Sequence, residues 1–540
     1  MKTIARATAM LFAVAALGAL AGPEPPGESF AKNPPDALMS GHMKRQGQAR
    51  IDFAALQAAA ENVSRQSRAG VEPSPEKFTI TLFDDVSFDV VFSHVDATSG
   101  YTWIGTPAPP RSGQVMFSIQ GEEVVGRVDL DLEQYYIRGT TTSEVSVTHI
   151  DTRSFLRYRD IDNLGVLSDT VSEIARRKSA ANQGKSLSTT VDVLVLWTAS
   201  AANVAGADAG APNAPSTFVN SQIADANLSF PASGVTATLR VVGYAPSSFV
   251  EVPNGYANIW IDTVEAMRSG TGLPGQPTVF STLPALRNQY AADIVVLLVD
   301  NWTMDATCGY ANTWDGPTAD STQAFAMVAV NCAVGDRTLT HEIGHTLGGR
   351  HDDDTSNPNK PYTYNYGYAR SNPNFRTIMA IGAALPGGCL TTGCARINQW
   401  SNPARTYMSV ATGTSTANMA MALGNTVPAV AAYRSATSLA VPGAPPAVYG
   451  DICSYPNWPP GTFITRRNVT WTAPSGTVGW YELQSSVDAS FLSPTETYRG
   501  PGKYVQWGLT GPTYLRARAC NATGCSAYTS IVWRSPPVGC

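Results

Sequence analysis

Apolar and polar residues change rhythm three times along this chain. Between residues 22 and 188 they alternate, as in KFTITLFDDVSFDVVFSHV (77 to 95), GQVMFSIQG (113 to 121) and YYIRGTTTSEVSVTHI (135 to 150). A period of two places successive side chains on opposite faces of a strand, so this stretch predicts short β-strands separated by Gly and Ser turns. It ends in SEIARRKSAANQGKSLSTT (172 to 190), a basic, small-residue segment of the kind that stays exposed and is readily cut, with Arg176, Arg177 and Lys178 as candidate processing sites. Residues 22 to 188 therefore read as a β-rich pro-region.

From residue 189 the rhythm becomes mixed. VDVLVLWT (191 to 198), TATLRVVGY (236 to 244), ADIVVLLVD (292 to 300) and AFAMVAVNCA (324 to 333) are short apolar runs suited to buried strands, while FVNSQIADANLSF (218 to 230) has helical spacing. VPAVAAYRSA (427 to 436) predicts a closing helix. Alternating strands and helices imply a mixed sheet with helices packed on it, here over 189 to 437. The Pro-rich VPGAPPAV (441 to 448) is stiff by composition and marks the linker, drawn at 438 to 445. Beyond it RRNVTWTAP, VGWYELQSS, YVQWGL, TYLRARAC and YTSIVW are strand-like runs between turn signals, the pattern of a small β-sandwich over 446 to 540.

Length and composition agree with a multidomain soluble chain. The 540 residues exceed what one core supports, and a net charge of −5 favours neither nucleic acid nor an anionic surface. The start of the chain, MKTIARATAMLFAVAALGALAGPEPP, has two positive charges, an apolar run and Ala19-Leu20-Ala21 before a proline cluster. It reads as a secretory signal peptide over 1 to 21, and no later segment is long and apolar enough to span a bilayer. All eight cysteines follow residue 307, an even count that in an exported chain implies disulfides. Short loops favour Cys389 with Cys394 and Cys520 with Cys525, which leaves Cys308 with Cys332 and Cys453 with Cys540.

The densest chemical signal is HEIGHTLGGRH, which gathers three of the six histidines into 341 to 351. His341 and His345 are four apart, so on a helix they share a face, about 6 Å apart along the axis. Gly348 permits a left-handed helix end, the chain turns back, and His351 can reach the same ion. Three neutral imidazoles hold zinc with one open position for water, and Glu342 is placed to take and return a proton. His42, His94 and His149 all precede residue 188 and read as ordinary surface or core histidines.

This string resembles that of the metzincin metallopeptidases. FRTIMA places Met379 where the family has a methionine turn beneath the metal, and Asp352 directly after the third histidine is similar to the reprolysin-like group. With RTIMA and QWSNP, the region 189 to 437 most resembles bacterial reprolysin-like enzymes of the peptidyl-Asp metallopeptidase type. The resemblance implies one catalytic zinc ion on His341, His345 and His351, Glu342 as general base, and support from Met379 and Gly348. It also implies cleavage before acidic residues, for which Arg396 and Arg405 are candidate pocket residues. By the same analogy AFAMVAVN is an edge strand that pairs with extended substrate. The tyrosine that some metzincins place two residues after the methionine is here Ile381, and residues 22 to 188 lack the cysteine of matrixin-type latency. YLRARACNATGCS (514 to 526) resembles the end of a fibronectin type III domain, with Tyr514 at the tyrosine corner and Trp471 as a core aromatic.

Asp352, Asp353 and Asp354 are oxygen ligands suited to calcium, but their spacing does not match an EF-hand loop and a solvated acidic loop is the simpler reading. The expectation is a secreted zinc endopeptidase made as a proenzyme, acting on proteins or peptides. A surface or polymer is a candidate ligand of the C-terminal domain. The competing class is an extracellular binding or adhesion protein that uses its sandwich and keeps a structural zinc site.

Overall fold

The computed structural model describes residues 42–68, 77–96, 98, 100–155, 159–160, 189–206, 215–251, 258–300, 307–314, 320–352, 362–382, 393–435, 439–457, 461–492, 494–508 and 514–534. The signal-peptide reading and the processing sites lie outside them.

Eight strands form the N-terminal sheet: β1 (Met43–Ala49), β2 (Lys77–Phe83), β3 (Val86–Asp96), β4 (Tyr101–Pro107), β5 (Gly113–Gln120), β6 (Glu123–Leu130), β7 (Glu133–Thr140) and β8 (Val145–Ile150). They run in the order β1-β8-β7-β6-β5-β4-β3-β2, an antiparallel meander closed at one edge by β1. The alternating runs of the sequence correspond to these strands. A 16-residue helix, α1 (Phe53–Arg68), was not expected; Phe53, Leu56 and Ala60 bury its apolar stripe against Trp103 and Phe117. Trp103 Nε1 donates to Leu56 O at 3.0 Å, which pins the helix to the sheet.

The segment after β8 holds α2 (Thr152–Phe155) and the two-residue strand β9 (Arg159–Asp160). The middle of the chain then builds a six-stranded sheet from β10 (Thr190–Trp197), β11 (Thr238–Pro246), β12 (Ile294–Val299), β13 (Thr307–Ala311) and β14 (Phe325–Ala329) together with β9, in the order β11-β10-β12-β14-β13-β9. β10 is parallel to β11 and β12, and β12 to β14, whereas β13 is antiparallel to β14. The central strands are buried on both faces, which is why they read as unbroken apolar runs. Helices α3 (Ala199–Ala205), α4 (Ser216–Ala232), α5 (Ile259–Ser269), α6 (Leu283–Tyr290), α7 (Val330–Asp336), α8 (Thr338–Thr346) and α9 (Met419–Val430) complete this region.

Three expectations are corrected here. AFAMVAVNCA is strand only to Ala329; Val330 to Ala333 begin α7, and β14 is an interior strand between β12 and β13 rather than an edge. The closing helix starts at Met419, where the Asn418 side chain accepts from Met421 N at 3.2 Å as an N-cap, and it ends soon after Pro428, earlier than residue 436. Tyr514 is 43% exposed, so it does not fill a tyrosine corner.

The C-terminal region is all β. Val448–Asn457, Thr462–Trp471, Trp480–Ser486, Thr495–Gly500, Tyr504–Gly508, Tyr514–Asn521, Gly524–Cys525 and Thr529–Trp533 pair antiparallel, except that the first and last are parallel. Trp471 packs edge-on to Tyr481 at 5.7 Å and close to Tyr498, in a core with Val448, Leu483 and Leu515. Disulfides link Cys308 to Cys332 and Cys520 to Cys525. Cys394 and Cys453 are also disulfide-bonded, and their expected partners Cys389 and Cys540 lie outside the described residues. Among the described residues no helix is long and apolar enough to cross a membrane.

Candidate metal centre

Helix α8 follows α7 almost without a break. Arg337 between them has φ 54°, a left-handed conformation that redirects the chain so that α8 runs beneath β13 and β14. His341 and His345 share one face of α8, and both are buried. The helix closes at Gly348, whose φ of 89° suits only glycine; its N–H donates to His345 O at 2.9 Å, and Gly349 N donates to Gly344 O at 2.8 Å. The chain then reverses through Arg350, whose N–H donates to Asn365 O at 2.9 Å, and brings in His351.

The three Nε2 atoms converge. His341 and His351 are 3.0 Å apart, and His345 is 3.2 Å from each. A tetrahedral site with metal–nitrogen distances of about 2.0–2.1 Å has edges of roughly 3.3–3.4 Å, so the spacing fits one small divalent cation. His341 Nδ1 donates to Ile378 O at 2.7 Å and His345 Nδ1 to Gly349 O at 2.9 Å, which turns both Nε2 lone pairs toward the common point. Burial first, then Arg396 and the two neighbouring histidines, holds His341 well below the ordinary imidazole range, in the neutral form a metal requires.

Glu342 sits beside His341 on the next face, 1% exposed. Its carboxylate lies against Gly309 of β13, where a Cβ would come within 2.4 Å of Oε1. Gly309 is thus a close-approach glycine, required by the space Glu342 occupies. Met379 is buried under α8; a Cβ at Gly344 would lie 2.3 Å from its Sδ, and one at Gly349 3.0 Å.

The turn carrying Met379 is held from three sides. Asp352 Oδ1 accepts from Ile381 N at 2.8 Å and Gly382 N at 3.1 Å, so this aspartate closes the turn rather than belonging to a solvated or calcium-binding loop. Asp353 and Asp354 lie outside the described residues. Ala380 O accepts from Arg376 Nη1 at 3.0 Å and Arg396 Nη2 at 3.3 Å. Both arginines also engage Asp336 at the end of α7, Arg376 at 2.5 Å and Arg396 at 3.1 Å. Arg396, expected in a substrate pocket, is 0% exposed and serves this internal clamp. Arg405 is exposed beside Gly234, at the end of α4. The clamp of Asp336, Arg376 and Arg396 and the role of Gly309 were not legible beforehand, because neither has a spacing signature.

Residues 187–400 match the family model Reprolysin_5, metallo-peptidase family M12. A peptidyl-Asp metalloendopeptidase of Xanthomonas campestris pv. campestris is 32% identical over 48% of this chain and 55% of its own length. Another of that name from Stenotrophomonas maltophilia is 32% identical over 45% of this chain and 53% of its own. The chain thus spans about half the length of the curated relatives it matches. The crystal structure of metalloproteinase-II from Bacteroides fragilis aligns with a TM-score of 0.32 at 12% identity, covering 58% of this chain and 91% of its own. The stretch that holds the three histidines, residues 187–400, is thus the part of the chain that is similar to reprolysin-type metallopeptidases.

Proposed function

We propose that this protein is a secreted zinc-dependent endopeptidase made as a latent proenzyme, with a preference for acidic residues after the cut. The observation that carries the reading is the convergence of His341, His345 and His351 with Glu342 alongside. Bound there, zinc would supply a Lewis acid for the peptide carbonyl and would acidify a water molecule. Glu342, beside the three histidines, would accept a proton from a water in the site and return it to the leaving amine. Arg376, Arg396 and Asp336 keep the turn under the site rigid, and the Ile378 carbonyl fixes the orientation of His341.

An extended peptide would bind by adding a strand to the edge of the sheet next to Glu342, which is β13. That edge is paired with β9 in parallel, Thr307 opposite Arg159 and Gly309 opposite Asp160. This pairing supports a latent form in which steric cover of β13 stands in for a cysteine on the metal. The acidic preference rests on the name of the relatives alone, and the C-terminal strands are proposed as a fibronectin type III-like accessory module.

The test is cleavage of an unfolded protein by the zinc-loaded, linker-processed protein beside its Glu342→Gln variant. Loss of cleavage in the variant with zinc retained supports the reading, and mass spectrometry of the products reports whether cuts precede Asp or Glu. Zinc binding by both forms with cleavage by neither would overturn it.

A further inference from the structure

Helix α4 has no solvent-facing stripe. Phe218, Val219, Ile223 and Phe230 pack into the core of the metal domain, while Ala224, on another face, packs with Ile104 and Met116 of the N-terminal sheet. An amphipathic helix on the surface of an independent domain would show a polar face to water. Here that face is covered by β5 and β6, and its polar groups bond across the boundary: Thr217 Oγ1 donates to Glu123 at 2.9 Å, and Gln114 Nε2 to Asp225 at 3.4 Å.

The boundary also contains a buried charge hub. Arg337, 1% exposed and immediately before α8, donates from Nε to Asp225 Oδ2 at 2.8 Å and from Nη1 to Arg396 O at 2.9 Å. Its Nη2 donates to Asp129 of β6. Burial alone would lower this guanidinium, but Asp129 and Asp225 outweigh it and hold it above the ordinary arginine value. Gln134 of β7 donates to the same Arg396 carbonyl at 2.8 Å, and Arg127 of β6 donates to Val334 O. Val125, Tyr136, Ile150 and Phe155 belong to the apolar core of the metal domain, where Phe155 packs on Gly335. The sheet reaches the C-terminal strands too, through Glu122 with Arg466 at 2.6 Å and Gly121 N to Thr497 O at 2.7 Å.

We infer that the N-terminal sheet, residues 42 to 155, is a permanent noncovalent partner of the metal domain, so that cutting the linker before β10 does not release it. Releasing the sheet would expose one face of α4 and four core side chains, and would strand Arg337 with one carboxylate in place of two. Breaking a buried ion pair by removing one partner is strongly destabilising, because it leaves the other charge buried without full compensation. If latency resides in β9, as proposed above, relief needs only the withdrawal of two residues from β13. The inference itself does not depend on peptidase activity.

The test uses the full chain carrying Glu342→Gln, which prevents self-digestion, and a site for a specific protease inserted after Arg177. After complete cleavage, native size-exclusion chromatography should return both fragments in one peak, which separates only in denaturant. Asp129→Asn should then speed dissociation of the cleaved complex by on the order of a hundredfold. Should that variant fail to fold, Gln134→Ala, which removes only the bond to Arg396 O, should give a smaller shift in the same direction. An N-terminal fragment that elutes alone, beside a folded remainder, would overturn the inference.

Discussion

Gly309 of β13 and Glu342 of α8 occupy one space: a methyl group on the glycine would stand 2.4 Å from the Oε1 of the glutamate and 2.7 Å from its carboxyl carbon. Thirty-three residues apart in sequence, the glycine leaves the space that the glutamate's carboxylate fills.

Gly309→Ala should therefore displace Glu342 while leaving the three histidines in place. A shift of about 1 Å in a reacting group can cost a hundredfold in rate. The expected outcome is a fall in kcat of that order, with zinc stoichiometry measured by atomic absorption unchanged. Loss of zinc in parallel with activity would mean that the glycine serves the ligands instead.

Asp336→Asn removes the charge that pairs Arg376 with Arg396 beneath the methionine turn. Partners that orient metal ligands typically change metal affinity by about 10–100-fold when removed. Competition with a chelating dye should show weakening in that range, and thermal denaturation should show a lower Tm. An unaltered zinc affinity would separate the clamp from the site.

Chelation of the metal should lower Tm, since a ligand bound only by the folded form stabilises it by about 2.7 kcal/mol at a hundred times its Kd. Zinc should restore the transition and magnesium should not, because three imidazoles suit zinc and not an ion that prefers oxygen. Scanning calorimetry with each ion distinguishes the cases.

Glu496 in the C-terminal region has its carboxyl pushed up to about 8, by burial first and then by Glu482, against the pull of Arg499 and Arg518. The folded form therefore holds a proton that the unfolded chain releases near its ordinary value of about 4.3. Stability from this group is complete at acid pH and declines as pH rises between those values, levelling off above 8. Glu496→Gln should flatten that slope and raise Tm at pH 8.5 relative to the unmodified protein. A variant that melts lower at pH 8.5 would place an ionised, well-solvated carboxylate at this position.

The strands of the N-terminal sheet, the parallel core strands and α4 were legible because alternation and unbroken apolar runs are local signals of face and burial. Helix α1 was missed since its flanks carry the alternating pattern and its own residues are mostly small and polar. The convergence of the three histidines was legible for the same local reason: helical spacing places His341 and His345 together, and the glycine at 348 allows the return to His351.

What sequence alone determined is therefore what one or two turns of backbone decide: the histidine string, its helix and its glycine cap, the rhythm of the strands and the short Cys520–Cys525 disulfide. Tertiary structure decided the rest. Only packing placed Arg396 inside a clamp instead of a pocket, made β14 an interior strand with β13 outside it, and set Gly309 against Glu342. It also joined Arg337 to Asp129 across 208 positions of chain. Such partners share no period and no neighbourhood in sequence; they meet because burying a charge or closing a core requires a complementary group, and any segment the fold brings near can supply it.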